Sequence, residues 1–92
     1  MPKLVQIKPL KDYKLYCKYS DSTQGEISIN HLLQKKGYKQ LENTHFFKEA
    51  MIDPATNDIC WGKDLRLCRN AIYKQISLIN MMKRFHINID KI

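Results

Sequence analysis

Ninety-two residues, 43% of them hydrophobic, suffice for one folded domain with one core and are too apolar for a disordered chain. Sixteen Lys and Arg against nine Asp and Glu leave +7 at pH 7, which favours a polyanion or an acidic protein as partner, or simply keeps a small lysine-rich body in solution. No run approaches the ~18 apolar residues of a membrane span, so no membrane contact is expected.

The opening stretch MPKLVQIKPL lacks the apolar core of a signal peptide, so a cytoplasmic location is expected. Cys17, Cys60 and Cys68 agree with that placement. Their number is odd, no C-x-x-C spacing occurs and their neighbours are apolar, so they read as reduced, half-buried thiols. A metal site or a redox role is the weaker alternative for them.

In chain order, Leu4 to Lys8 reads as a strand closed by Pro9. Tyr13, Leu15, Cys17 and Tyr19 alternate with Lys14, Tyr16 and Lys18, the period of a half-buried strand. A turn over Ser20 to Gly25 leads into a third strand, Glu26 to Asn30, completing a meander. The expected inward set is Val5, Ile7, Leu15, Cys17 and Ile29. The outward row is Lys8, Lys14, Tyr16 and Lys18, and a one-residue slip would exchange the two sets.

Asn30 can cap a short helix over His31 to Lys36 that Gly37 ends, and Asn43 with Thr44 can cap another carrying Phe46, Phe47 and Ala50. Met51 to Trp61 reads as a hairpin turning at Asp53 to Asp58, with Pro54 suited to the second turn position. Leu65, Cys68, Ile72, Ile76, Ile79 and Met82 recur at helical steps, predicting one long amphipathic helix whose other face carries Arg66, Arg69 and Arg84. Phe85 to Asp90 alternates again, as a short strand would. The expected class is α+β: a small antiparallel sheet, made of a three-strand meander plus a short hairpin, with two short helices and a long C-terminal amphipathic helix.

Laid out in this order, Val5, Pro9-Leu10, Tyr13-x-Leu15, Gly25-Glu26, Ile29-x-x-Leu32-Leu33, Leu41, Phe46-Phe47, Ile59-x-Trp61-Gly62-x-Asp64-Leu65 and Ile72-Tyr73 resemble the domain-of-unknown-function 2442 family of small bacterial proteins. The likeness spans residues 5–73. It divides the single domain into a family-like part, residues 1–74, and a C-terminal helix extension and tail, residues 75–92. The turn from Asp21 to Gly25 is longer than the family's usual Asp-Gly turn, and a Pro-Asn insertion after the tryptophan is missing. Some relatives carry a helix–turn–helix beyond this domain; residues 74–92 have room for one helix and a tail, so no separate DNA-reading domain is expected. The resemblance implies a compact α+β domain without an established activity. The family's genes commonly lie beside another small uncharacterised family, which has prompted a toxin–antitoxin proposal.

Catalytic groupings are sparse. Asp12-Tyr13-Lys14 is the one acid-x-Lys arrangement on a strand, without a second acid before it, and reads better as a loop–strand junction than as a nuclease site. Asp53 and Asp58 suit a turn, and Asp64 suits the start of a helix. His31, His45 and His86 fall in separate elements. No enzyme activity, cofactor or metal is therefore expected. Trp61 reads as a core anchor rather than a partner hot spot or a stacking platform.

Two binding surfaces remain. Lys8, Lys14, Tyr16 and Lys18 on the sheet and, as a second basic face, Arg66, Arg69 and Arg84 on the long helix are the candidate nucleic-acid contacts, against the plainer reading of solvated faces. Leu78, Met81 and Phe85 form a second apolar stripe beside Ile72, Ile76, Ile79 and Met82, and Ile87 and Ile89 follow. A small monomer has little core left to bury both stripes. Residues 76–90 are thus the candidate interface with another small protein or with a second copy, against the alternative of a tail that completes the domain's own core. The leading expectation is a non-enzymatic binding module, the antitoxin-like member of a small pair. The runner-up is a basic nucleic-acid-binding regulator, or an inhibitor of a nucleic-acid-dependent defence system.

Overall fold

A computed structural model describes residues 2–84. The expected strand over Phe85 to Asp90, with the interface candidates Phe85, Ile87 and Ile89, lies outside the described residues.

The N-terminal meander forms as expected. Strands β1 (Leu4–Leu10), β2 (Lys14–Tyr19) and β3 (Gln24–Ser28) pair antiparallel in the order β1-β2-β3. Alternation on β2 sends Leu15, Cys17 and Tyr19 into the core and leaves Lys14 exposed and Tyr16 and Lys18 half-buried on the other face. The expectation fails at Val5, which is 53% exposed while Leu4 is buried. A β-bulge between Leu4 and Gln6 shifts the register there, so that Leu4 pairs with Tyr19 and Gln6 with Lys18. The inserted residue reverses the alternation for the first residues of the strand. Ile7, expected inside, is half-buried against the core.

From Ile29 to Phe47 the chain runs in tight turns. The helix expected after Asn30 is a single 3-10 turn, Asn30–Leu32. The Asn30 side chain makes no capping bond, and successive backbone bonds reach back three residues, from Leu32 to Ile29 and from Lys35 to Leu32. Asn43 does cap helix α1 (Thr44–Phe47): its Oδ1 accepts from the His45 amide at 2.9 Å and more weakly from that of Phe46.

A second antiparallel sheet follows, with β4 (Met51–Ile52), β5 (Ile59–Trp61) and β6 (Leu65–Leu67) in the order β4-β5-β6. The β4–β5 hairpin turns at Asp53 to Asp58 as the sequence predicts. The third strand corrects the expectation that the helix begins near Leu65. Leu65 pairs with Trp61 and is buried, and Asp64 lies in the β5–β6 turn instead of at a helix start. Three residues of strand contain only one helical step, so the apolar spacing could not reveal the break. Helix α2 (Arg69–Arg84) then begins under Asp58, whose Oδ1 accepts from the Arg69 amide at 3.1 Å.

The two sheets share one core, with Leu15, Cys17, Tyr19, Ile59, Trp61 and Ile76 at its centre. Trp61 is fully buried, stacks on Phe47 at 6.2 Å and donates its indole N–H to the Phe47 carbonyl at 2.9 Å, the core anchor the sequence suggests. Burial pushes the Cys17 thiol up to about 12, which keeps it protonated and inert. Cys60 is buried as well, whereas Cys68 is exposed rather than half-buried because it sits between β6 and α2.

Two contacts hold the pieces in register. Asn57, at φ 65°, accepts from the Leu4 amide at 2.8 Å and donates to the Leu4 carbonyl at 2.9 Å, clasping the second sheet to the first. Ile76 of α2 packs onto Gly25 of β3, where an added Cβ would stand 3.0 Å from the isoleucine Cγ2. Asn57→Gly keeps the left-handed turn accessible while deleting both clasp bonds, and urea titration should show a loss of about 1–3 kcal/mol. Gly25→Val should wedge α2 off the sheet and cost about 1–3 kcal/mol by overpacking, again read from the urea midpoint. An unchanged midpoint in either variant would contradict the corresponding contact.

Candidate functional site

The open face of the first sheet is an ordered array. Strand pairing sets Gln6 beside Lys18 and Lys18 beside Gln24; Lys8 beside Tyr16 and Tyr16 beside Glu26; and Leu10 beside Lys14 and Lys14 beside Ser28. Tyr16 occupies the centre, with Lys14 and Lys18 two residues away on either side along its own strand and Lys8 on the neighbouring one. Its hydroxyl donates to Gln24 Oε1 at 2.5 Å, which holds the ring over the β2–β3 pair. Three lysines against the single carboxylate of Glu26 make the face positive. A shallow depression of about 340 Å³ opens beside the ring, lined by Gln6, Lys8, Leu10, Tyr16 and Glu26. The basic row and Gln6 on the same face were legible in the sequence, but Leu10 and Glu26 were not, because cross-strand partners depend on register rather than on local pattern.

The three arginines expected to form a second basic face, on the long helix, are divided between two elements. Arg66 lies on β6, bridges Asp53 at 2.6 Å and donates to Thr56 Oγ1. Arg69 is half-buried at the start of α2 and donates to the Thr56 carbonyl at 2.5 Å. Both brace the β4–β5 turn. Arg84 stands at the far end of α2, beside Thr23, Ser77, Asn80 and Met81. A continuous helix from residue 65 would have carried all three; β6 takes Arg66 off it and leaves Arg69 and Arg84 at the two ends of α2.

A groove of about 600 Å³ lies between the β1–β2 turn and α1. Pro9, Leu10, Tyr13 and Phe47 supply apolar walls, and Lys11 and Lys48 flank them. Asp12 and Tyr13 hold consecutive left-handed conformations, φ 61° and 58°, a strained arrangement for residues with side chains. It is stabilised by Tyr13, whose hydroxyl donates to the Glu42 carbonyl at 2.5 Å and whose ring meets Phe47 edge-on at 5.4 Å. Such a groove can accept an apolar side chain next to a negative charge. Among the described residues no group of three His, Cys, Asp or Glu could hold a metal ion.

The fourth feature is the distal half of α2. Ile72 and Ile76 are buried, but Leu78 is 57% and Met81 50% exposed. Ile79 and Met82, expected to cover the sheet, are also exposed. Sixteen helical residues span about 24 Å, whereas the five residues of β3 span about 17 Å. Asn80 donates to the Gln24 carbonyl at the first residue of β3, so the helix runs off the sheet just where its second apolar stripe begins.

The Asp53 bridge has a pH signature. The Ala55 amide and then the Arg66 guanidinium hold the Asp53 carboxyl below its ordinary value of 3.8. Tyr73, followed by the Thr23 amide, does the same for Asp21. A folded-state depression contributes stability above the unfolded value, and that contribution is lost as pH falls through the folded one. Chemical denaturation between about pH 5 and pH 2 should therefore show falling stability, with a shallower fall in Asp53→Ala. Equal slopes in parent and variant would refute the assignment.

No curated protein and no solved structure matches the chain significantly. A family model described as protein of unknown function (DUF2442) matches residues 4–77, taking in both sheets and the buried first half of α2 and stopping where the helix becomes exposed. With most of its length matched, the chain belongs to the DUF2442 family.

Proposed function

We propose that this protein is a non-enzymatic binding module whose partner is another small protein, as in the antitoxin-like member of a toxin–antitoxin pair, working in the cytoplasm. The observation that carries the reading is the exposed apolar end of α2, where Leu78, Ile79, Met81 and Met82 stand clear of the sheet among the described residues. Completing the burial of four half-exposed side chains of this size contributes roughly 3–6 kcal/mol. That is too little to offset the cost of association alone, so the contact extends beyond this patch. The interface proposed here runs through residues 76–90, and Phe85, Ile87 and Ile89 are the apolar residues that continue it in sequence. No helix is long and apolar enough to cross a membrane among the described residues. The free thiols of Cys17, Cys60 and Cys68 suit a reducing compartment.

Side-by-side purification of the intact chain and a Leu78→Ser, Met81→Ser variant from the native cells tests the reading. The intact chain should retain one small protein in stoichiometric amount, and the variant should lose it while keeping its fold by circular dichroism. Capture of nothing, or of the same protein by both, contradicts it. A doubled mass for the intact chain alone in sedimentation would replace the partner with a second copy.

A further inference from the structure

The apolar end of α2 and the basic sheet face lie on opposite sides of the first sheet, since Ile76 packs on the Gly25 side while Tyr16 and its lysines point the other way. We infer that this basic face is a second binding surface, and that its ligand is single-stranded nucleic acid with one base seated in the depression beside Tyr16.

Three features of the array select that ligand. First, an aromatic ring sits at the centre of a positively charged sheet face, where a base can stack while its phosphates meet lysines. The Gln24 hydrogen bond holds the ring in place, so little side-chain freedom is lost on stacking. Second, the depression is chemically suited to a base. Tyr16 and Leu10 offer it apolar surface, and Gln6 and Glu26 present an amide and a carboxylate to its polar edge. A carboxylate accepts from an exocyclic amino group, as of cytosine, and an amide can both donate and accept. Third, Lys14 and Lys18 are four residues apart on one strand, about 13 Å, with the ring between them. That span exceeds one nucleotide and fits a strand crossing the face, with Lys8 beside the central base. A duplex keeps its bases stacked on each other and cannot place one in the depression.

The test is fluorescence anisotropy of the full chain with a labelled single strand of about 12 nucleotides, within the usual site sizes, and with the duplex of the same sequence. The single strand should bind more tightly. Three lysine contacts should make log affinity fall against log salt with a slope near −2, and Lys14→Gln or Lys18→Gln should each remove about 0.7 of it. Tyr16→Leu keeps an apolar strand residue but no ring; it should weaken binding about tenfold without changing the slope. Lys35→Gln with Lys36→Gln removes two charges, one more than either single variant, from exposed positions outside the array and should leave the slope unaltered. Circular dichroism verifies each fold, and because these side chains are wholly or partly open to solvent none is needed by the core. Absence of binding at low salt, equal affinity for the duplex, indifference to Tyr16→Leu, or an equal slope loss in the Lys35 and Lys36 control would each overturn the inference. Loss of the protein partner in the Leu78 and Met81 variant bears on α2 alone, so the two readings fail separately.

Discussion

The fold depends on the six-residue turn between β4 and β5. From it Asn57 grips both backbone groups of Leu4, Asp58 receives the first amide of α2, and Thr56 and Asp53 hold Arg69 and Arg66. Each sheet has only three strands and apolar side chains that the other helps to cover. Joined through this turn, they enclose Trp61 and Tyr19 between them, and the helix that seals the core leaves from the same place. The Tyr19 hydroxyl, which needs a partner when its ring is buried, finds the Arg69 carbonyl at 2.7 Å at the start of that helix.

Fixing the origin and direction of α2 in this way also fixes where it ends. Ile72 and Ile76 fall over β3, Asn80 meets its first residue, Gln24, and Met81 to Arg84 are exposed beyond that point. The exposed methionines and Leu78 thus follow from a length mismatch between a helix and the strand it covers, not from an unusual sequence. Meanwhile the outer face of the same sheet stays open and positive. One three-stranded sheet therefore presents a covered face whose helix reaches outward and a bare face built around Tyr16.

Much of this was legible in the sequence. Alternation from Leu15 to Tyr19, the hairpin around Pro54 and the Asn43 cap are local patterns, each set by residues within a few positions of one another, and each appears in the structure. The DUF2442 membership rested on ordered positions spread over most of the chain and is likewise shown. What could not be read depends on distance in the chain. The bulge that turns Val5 outward is a matter of pairing with β2, and the cap on α2 comes from Asp58, eleven residues before the amide it binds. Leu65 obeys helical spacing with Cys68 and Ile72 yet pairs with Trp61, because a short strand leaves no periodic trace. Arg66 and Arg69 appeared free for nucleic acid only because the turn that engages them lies ten or more positions earlier.

Helix α2 is half core and half open surface, and amide hydrogen exchange along it in the isolated chain measures this most directly. At a concentration where the chain sediments as a monomer, amides around Ile72 and Ile76 should exchange only through global unfolding. Those from Leu78 to Arg84 should exchange orders of magnitude faster, through local opening. Equal protection along the whole helix would mean that the chain already covers its own apolar end, and the proposed partner surface would not exist.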